Sequence, residues 1–257
     1  MLTFRNTNWV FGLLLIFLIG YNIAFRLPIY VYFILIFVYL SLLVYGSYFI
    51  RAGFYLHSVC SAATDRKEIA LSFDDGPANA FTPDILALLK ENNIEAAFFC
   101  VGNRILGNET LLKQVHEEGH IIGNHSFSHA RWFALFPARK MLADMKLMDL
   151  AMNQETGLTP RLFRPPYGVT NPTIRKAVSR GNYISVGWNI RSFDTKIKND
   201  KRLLRRVTKR VKPGAIVLFH DTSKTTLNIL PEFIRKLKQD GYTISRLDKM
   251  LKLEPYA

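Results

Sequence analysis

Two adjacent carboxylates, Asp74 and Asp75, stand where an apolar run, residues 69–73, meets the turn residues Gly76 and Pro77. The run reads as a buried strand and Gly-Pro as its end, so both acids belong at a strand mouth. Like charges side by side are unfavourable unless their roles divide. A divalent cation held by one acid, with the other left free to accept a proton, is such a division, although Asp-Gly-Pro is also ordinary turn chemistry. Downstream, GNHSFSH sets His125 and His129 four residues apart, a spacing at which two imidazoles can face one cation from a helical turn or tight loop. With Asp75 they would supply two nitrogens and one oxygen, the donor set of a zinc-type catalytic site with a position left for water. Such a cation would lower the water's pKa to about 7 and polarise a carbonyl oxygen.

Two further clusters carry acid–base chemistry. In RPPYG, residues 164–168, the prolines fix their own backbone angles and lack donors, which leaves the Tyr167 N–H as the first one available. That N–H is assigned to a developing oxyanion, a contact whose side-chain versions are worth about 3 kcal/mol. Arg164 is the partner expected to hold Asp74 ionised. LFHD, residues 218–221, ends an apolar strand with His220, a candidate general acid for a leaving amine, and Asp194 is a candidate acceptor keeping that imidazole protonated.

These clusters need a scaffold that gathers them. Strand-like runs over residues 69–73, 96–101, 120–123, 161–163, 183–187, 215–219 and 242–245 alternate with amphipathic helical stretches. Thr82 is placed to cap a helix beginning at Pro83. Further helices are expected from Asn108 through residue 118, over residues 137–156, from an Asn171 cap over 172–180, over 201–211 and over 230–240. The alternation predicts a parallel sheet with helical crossovers, and about seven βα units match a barrel better than a doubly wound open sheet. In a parallel barrel all strand C-termini open onto one face, so clusters spread over about 150 residues converge there.

The chain has 257 residues, 49% of them hydrophobic, with the apolar excess at the N-terminus. Residues 9–25 and 27–50 contain no charge, with only Arg26 between them, and are long enough to cross a hydrocarbon core of about 30 Å. Trp9, Tyr30, Tyr32, Tyr45 and Tyr48 lie near their ends like an interfacial belt. A cleavable signal peptide fits less well, because no basic segment precedes a short core. Residues 1–51 thus read as a membrane anchor, 52–67 as a linker and 68–257 as the catalytic domain. Beyond residue 65 the chain holds 31 Lys+Arg against 19 Asp+Glu, a net +12 that favours anionic lipid or an acidic polymer. Nucleic acid is disfavoured, since no arginine-rich helix or aromatic platform accompanies the charge. Cys60 and Cys100 are not expected to pair. Two spans put both chain ends on one side, and Arg5, Arg51, Arg66 and Lys67 against Arg26 favour the cytoplasm.

FDDGP, HSFSH, RPPYG and LFHD in this order resemble the polysaccharide deacetylase family, the NodB-homology or carbohydrate esterase family 4 domain, over about residues 68–247. The resemblance implies a distorted (β/α)7 TIM-like barrel, here preceded by the transmembrane pair. It also implies metal-dependent hydrolysis of N-acetyl groups on the amino sugars of a glycan. The implied cofactor is a divalent metal, zinc first, with cobalt, manganese and nickel as alternatives. By motif, Asp74 looks like the catalytic base, Asp75, His125 and His129 like the metal ligands, and Arg164 like the residue orienting the base. Tyr167 resembles the backbone oxyanion donor, His220 the general acid and Asp194 its tuning carboxylate, while Leu218, Trp188 and Pro166 fall to the acetyl pocket. The family often has an acid at the position of Arg191 and a tryptophan at that of Thr195, and Trp188 is expected to replace some of the missing aromatic volume. A cell-wall glycan lies outside the membrane, so the functional argument places an integral membrane enzyme with its catalytic domain on the extracytoplasmic side. A deacetylase or deformylase of a lipid-linked sugar, and an inactive glycan-binding module, are the alternatives.

Overall fold

The computed structural model describes residues 2–257. Two apolar helices come first, α1 (Phe4–Phe25) and α2 (Tyr30–Tyr48). Thr3 caps α1, its hydroxyl accepting from the Asn6 N–H, so this helix starts five residues before the uncharged run begins. Both are long and apolar enough to cross a membrane, and almost none of their residues are fully buried. The remaining elements are β1 (Glu68–Asp74), α3 (Thr82–Glu91), β2 (Ala97–Cys100), α4 (Gly102–Ile105), α5 (Glu109–Glu117), β3 (Ile121–Asn124), α6 (Ala138–Thr156), β4 (Leu162–Phe163) and α7 (Pro172–Arg180). Then follow β5 (Ile184–Ser185), β6 (Ile190–Arg191), α8 (Asp200–Thr208), β7 (Ala215–His220), α9 (Lys224–Gln239), β8 (Thr243–Ile244) and α10 (Leu247–Leu251).

All pairings between these strands are parallel, in the order β5-β4-β3-β2-β1-β7-β6, with β8 against the first residues of β1. The period of two sorts each strand's side chains between two cores. Ile69, Leu71 and Phe73 of β1 and Val217 and Phe219 of β7 pack outward under the helices. Ala70, Phe99, Ile216 and Leu218 face the concave side with Trp188. Asp74 and His220 continue the concave rows of β1 and β7 and are register partners, so both reach the sheet's end side by side.

The distorted barrel expected from the βα count and the family resemblance is present as a parallel sheet that does not close. The sheet curls as a half-barrel, and β5 and β6 do not pair with each other. Only four residues separate them, too few for the crossover that would set them side by side. They are instead the two ends of one segment that leaves β4 and joins β7. In that gap the carbonyls of Val186 and Gly187 accept from the Arg164 guanidinium rather than from a neighbouring strand. The stretch before β1 shields the same region: Val59 pairs with Val186 and Ser61 with Ala215. Cys60 and Cys100 are both free.

Several helix expectations shift. Asn171 caps α7 through the Ile174 N–H as expected, but Thr82 is the first residue of α3 and spends its hydroxyl elsewhere. Helix α8 starts at Asp200 under an Asn199 cap. Helix α9 starts at Lys224, six residues before the expected point, because its buried stripe already includes Thr225, Thr226 and Ile229; Pro231 lies inside it.

Candidate active site

Burial and backbone strain single out the C-terminal end of the sheet. Asp75, Ser126, His129, Tyr167 and Phe193 all adopt positive φ, the left-handed region that non-glycine residues enter at a cost of about 1–3 kcal/mol. Each turns the chain sharply just after a strand. The Asp75 backbone carbonyl is anchored by the Arg104 guanidinium, and the Ser126 hydroxyl accepts from the His129 N–H at 3.0 Å. Asn124, the last residue of β3, caps the same turn by accepting from the Ser126 N–H at 2.8 Å, and Asp144 of α6 accepts from the Phe127 N–H at 2.8 Å.

These turns bring Asp75, His125 and His129 together, with ligand atoms all within 4.8 Å of one another. His129 Nε2 is 3.3 Å and His125 Nε2 3.6 Å from the same oxygen, Asp75 Oδ1. His125 Nδ1 lies 2.7 Å from the Arg164 carbonyl; the tautomer with the proton on Nδ1 donates there and leaves the Nε2 lone pair facing Asp75 and His129. Burial, together with the neighbouring His125, drops the His129 pKa to about 4, so its imidazole is neutral at physiological pH. Burial pushes the Asp75 carboxyl up, but the charges of His125, His129 and His220 outweigh it and hold the group below the ordinary range. One carboxylate and two imidazole nitrogens fit a divalent cation of zinc type.

Asp74, 3.8 Å from His125 Nε2, is held differently. Arg164 donates to Asp74 Oδ1 at 2.6 Å and to the Ser72 hydroxyl at 3.0 Å, while its other N–H groups fill the Val186 and Gly187 carbonyls. Its guanidinium lies 3.9 Å from the Phe99 ring centroid and is fully buried. The sequence placed Arg164 beside Asp74, but Ser72 on β1 and the two carbonyls between β5 and β6 carry no local signal because they are far from Arg164 along the chain.

His220 and Asp194 form the third unit. His220 Nδ1 is 2.8 Å from Asp194 Oδ1, and Asp194 Oδ2 accepts from the His220 backbone N–H at 2.7 Å and from the Thr226 hydroxyl at 2.5 Å. Burial would lower the His220 pKa, but the Asp194 hydrogen bond and charge overcome it and raise it to about 9, so the ring is an imidazolium near neutral pH. Burial opposes the ionised Asp194 too, and the same His220 contacts hold its pKa below the ordinary value. Thr226 carries no local sequence signal; its position inside α9 becomes informative only once that helix is known to start at Lys224.

Tyr167 reaches the site from the RPPYG turn. Its ring centroid is 4.8 Å from that of His129, and its hydroxyl donates to the His129 carbonyl at 3.4 Å. Pro165 and Pro166 carbonyls accept from Gly168 and Val169, and Pro166 is buried. Trp188 and Leu218 are buried among the concave-side residues, with Trp188 packed against Gly168 beneath the turn. Arg191 places its guanidinium 5.5 Å from the Trp188 ring and 5.0 Å from the Phe193 ring, while the Thr195 N–H binds Asp194 Oδ1 at 3.0 Å.

A further buried carboxylate braces the metal-side loop. Asp221 is fully buried and accepts from the Thr82 hydroxyl at 2.7 Å, and that hydroxyl accepts from the Ala78 N–H at 2.9 Å. Gly76 lies directly against the Asp221 carboxyl, where any Cβ would overlap it. Burial lifts the Asp221 pKa to about 7.

The sequence and the architecture have relatives among known proteins. The polysaccharide deacetylase family model matches residues 61–186. The chain is 34% identical over 188 residues to the peptidoglycan-N-acetylglucosamine deacetylase PgdA of Listeria monocytogenes, covering 73% of this chain and 40% of that protein. It thus spans well under half the length of that relative. It is 33% identical over 192 residues to the peptidoglycan-N-acetylmuramic acid deacetylase PdaA of Bacillus subtilis, covering 73% of each. Among solved structures, the Bc1960 peptidoglycan N-acetylglucosamine deacetylase superposes with a TM-score of 0.74 at 28% identity, covering 78% of this chain and 95% of that one. The chain belongs to the polysaccharide deacetylase family.

Proposed function

We propose that this protein is a membrane-anchored hydrolase that removes N-acetyl groups from the amino sugars of a peptidoglycan-like glycan. The observation carrying the reading is the meeting, at one end of the sheet, of the Asp75–His125–His129 triad, the Arg164-held Asp74 and the Asp194-held His220. The names of the relatives support the substrate class.

Asp75, His125 and His129 would hold the divalent cation, zinc first. When bound, it would supply Lewis acidity to the acetamide carbonyl and acidity to water. Asp74 is the base: Arg164 fixes one of its oxygens, and Oδ2 faces the triad to take the proton of the attacking water. The backbone N–H of Tyr167 is the donor for the oxygen that becomes negative as the acetamide carbon turns tetrahedral. His220, protonated at neutral pH and held through Nδ1 by Asp194, presents Nε2 to the departing amine and delivers the proton. Leu218, Trp188 and Pro166 form the apolar ground beside which the acetyl methyl would rest.

Helices α1 and α2 are read as two membrane spans, with the catalytic unit on the extracytoplasmic side because the wall glycan lies there. The test is acetate release by the full chain, loaded with zinc or cobalt, from N-acetylglucosamine oligomers and from peptidoglycan. Acetate production that disappears in Asp74→Asn supports the assignment. Glycan binding without acetate would favour the binding module, and formate from a lipid-linked sugar would favour the sibling enzyme.

A further inference from the structure

The domain is hydrogen-bonded and packed against the ends of its two apolar helices. The Phe4 N–H donates to the Phe54 carbonyl, the Thr170 N–H and hydroxyl donate to the Ser47 and Gly46 carbonyls at 3.0 Å, and Phe54 packs into the space above Gly46. Thr170 follows the RPPYG turn closely, so the loops of the candidate active site lie beside the C-terminal end of α2.

The 19 residues of α2 rise about 28 Å, roughly the hydrocarbon thickness, so a crossing uses the whole helix. Leu43 and Val44 then lie about 6–8 Å inside its domain-side end. These two residues line a groove of about 620 Å³ whose opposite wall is Trp132, Leu135 and Tyr167. Trp132 is 62% exposed and Leu135 74%, while Phe133 between them is buried and holds the turn in place. Two large apolar side chains projecting from a fixed turn form a patch that calls for a partner. Their depth identifies it, because they sit level with side chains of a spanning helix. The Arg131 guanidinium lies 5.4 Å from the Trp132 ring. Around the start of α1, Arg175, Lys176 and Arg180 line a second hollow with Phe4 and Tyr55. No acidic residue lies within ion-pair distance of these four cations among the described residues, an arrangement suited to anionic headgroups beside acyl chains.

We propose that the turn at residues 131–136 is immersed in the bilayer leaflet that α2 enters, with lipid acyl chains occupying the groove between this turn and α2. The inference rests on the reading of α1 and α2 as membrane spans. The turn begins two residues after His129, and Tyr167 walls both the groove and the candidate metal site. The catalytic mouth therefore opens at headgroup level, and the glycans it reaches are those held at the membrane surface.

The chain has three tryptophans, Trp9, Trp132 and Trp188, and Trp188 is buried. The full chain is reconstituted into phosphatidylcholine–phosphatidylglycerol vesicles with either ordinary or bromine-labelled acyl chains, as Trp9→Phe, Trp132→Phe and the double variant. Subtracting the double variant isolates each exposed tryptophan. Trp132 emission is expected to fall at least about two-fold in the brominated vesicles, as an interfacial tryptophan's should, and to resist aqueous iodide. Trp132 quenched by iodide and untouched by bromolipid, with Trp9 quenched by bromolipid, overturns the immersion alone. If bromolipid quenches neither, the spanning reading fails and the immersion with it.

Discussion

Replacing Asp194 with asparagine separates the proton-donating role of His220 from its mere presence. The aspartate raises the His220 pKa from 6.5 to about 9 against the opposing pull of burial. At about 1.4 kcal/mol per unit, this is roughly 3 kcal/mol of preference for the imidazolium. Because the folded pKa lies above the unfolded one, the pair's contribution to stability is complete below about pH 6.5 and is lost as pH rises through about 9. In Asp194→Asn the ring returns to 6.5 or lower. At pH 8 its protonated fraction then falls by roughly thirty-fold, whereas at pH 6 the change stays within about two-fold. Acetate release measured from pH 5 to pH 10 should show this as a shift of the alkaline limb by more than about two units. The Thr226 hydroxyl and His220 N–H would face an amide in place of a carboxylate, so melting curves must accompany the rates. A uniform loss of rate at every pH, with the alkaline limb unmoved, refutes the assignment of His220 as the acid.

Other consequences concern how the site is held. Arg164→Met leaves the buried Asp74 carboxylate and the Val186 and Gly187 carbonyls without their donor, and should destabilise the fold by about 3–5 kcal/mol in denaturant titration. Thr82→Val breaks the Ala78–Thr82–Asp221 chain and should cost about 1–3 kcal/mol, with Thr82→Ser restoring most of it in thermal melts. Gly168→Ala places a Cβ into the Trp188 ring at a φ of 71°, and should lower both the melting temperature and activity, since the Tyr167 turn must move.

The residues brought together at the sheet end were legible because each follows an apolar run, and parallel strands with helical crossovers send all such ends to one face. Asn171 could be read as a cap from its place one residue before Pro172, a local signal with a local cause. What escaped was non-local or too short to show a period. β6, two residues long, has no alternation to detect, and the carbonyls beside it that bind Arg164 belong to residues 22 and 23 positions away from that arginine. Asp221 carries no local signal of its role, and only the approach of Thr82 from 139 positions earlier reveals it as a brace. The helix expected over 230–240 begins instead at Lys224, and the buried stripe of α9 carries it straight through Pro231.

The central claim is that Asp75, His125 and His129 hold one divalent cation. Calorimetric titration of zinc into the metal-stripped full chain tests it most directly. One zinc site per chain is expected, weakened by about 100-fold or more in folded Asp75→Ala and His125→Ala variants. Zinc affinity unchanged by either substitution would contradict it.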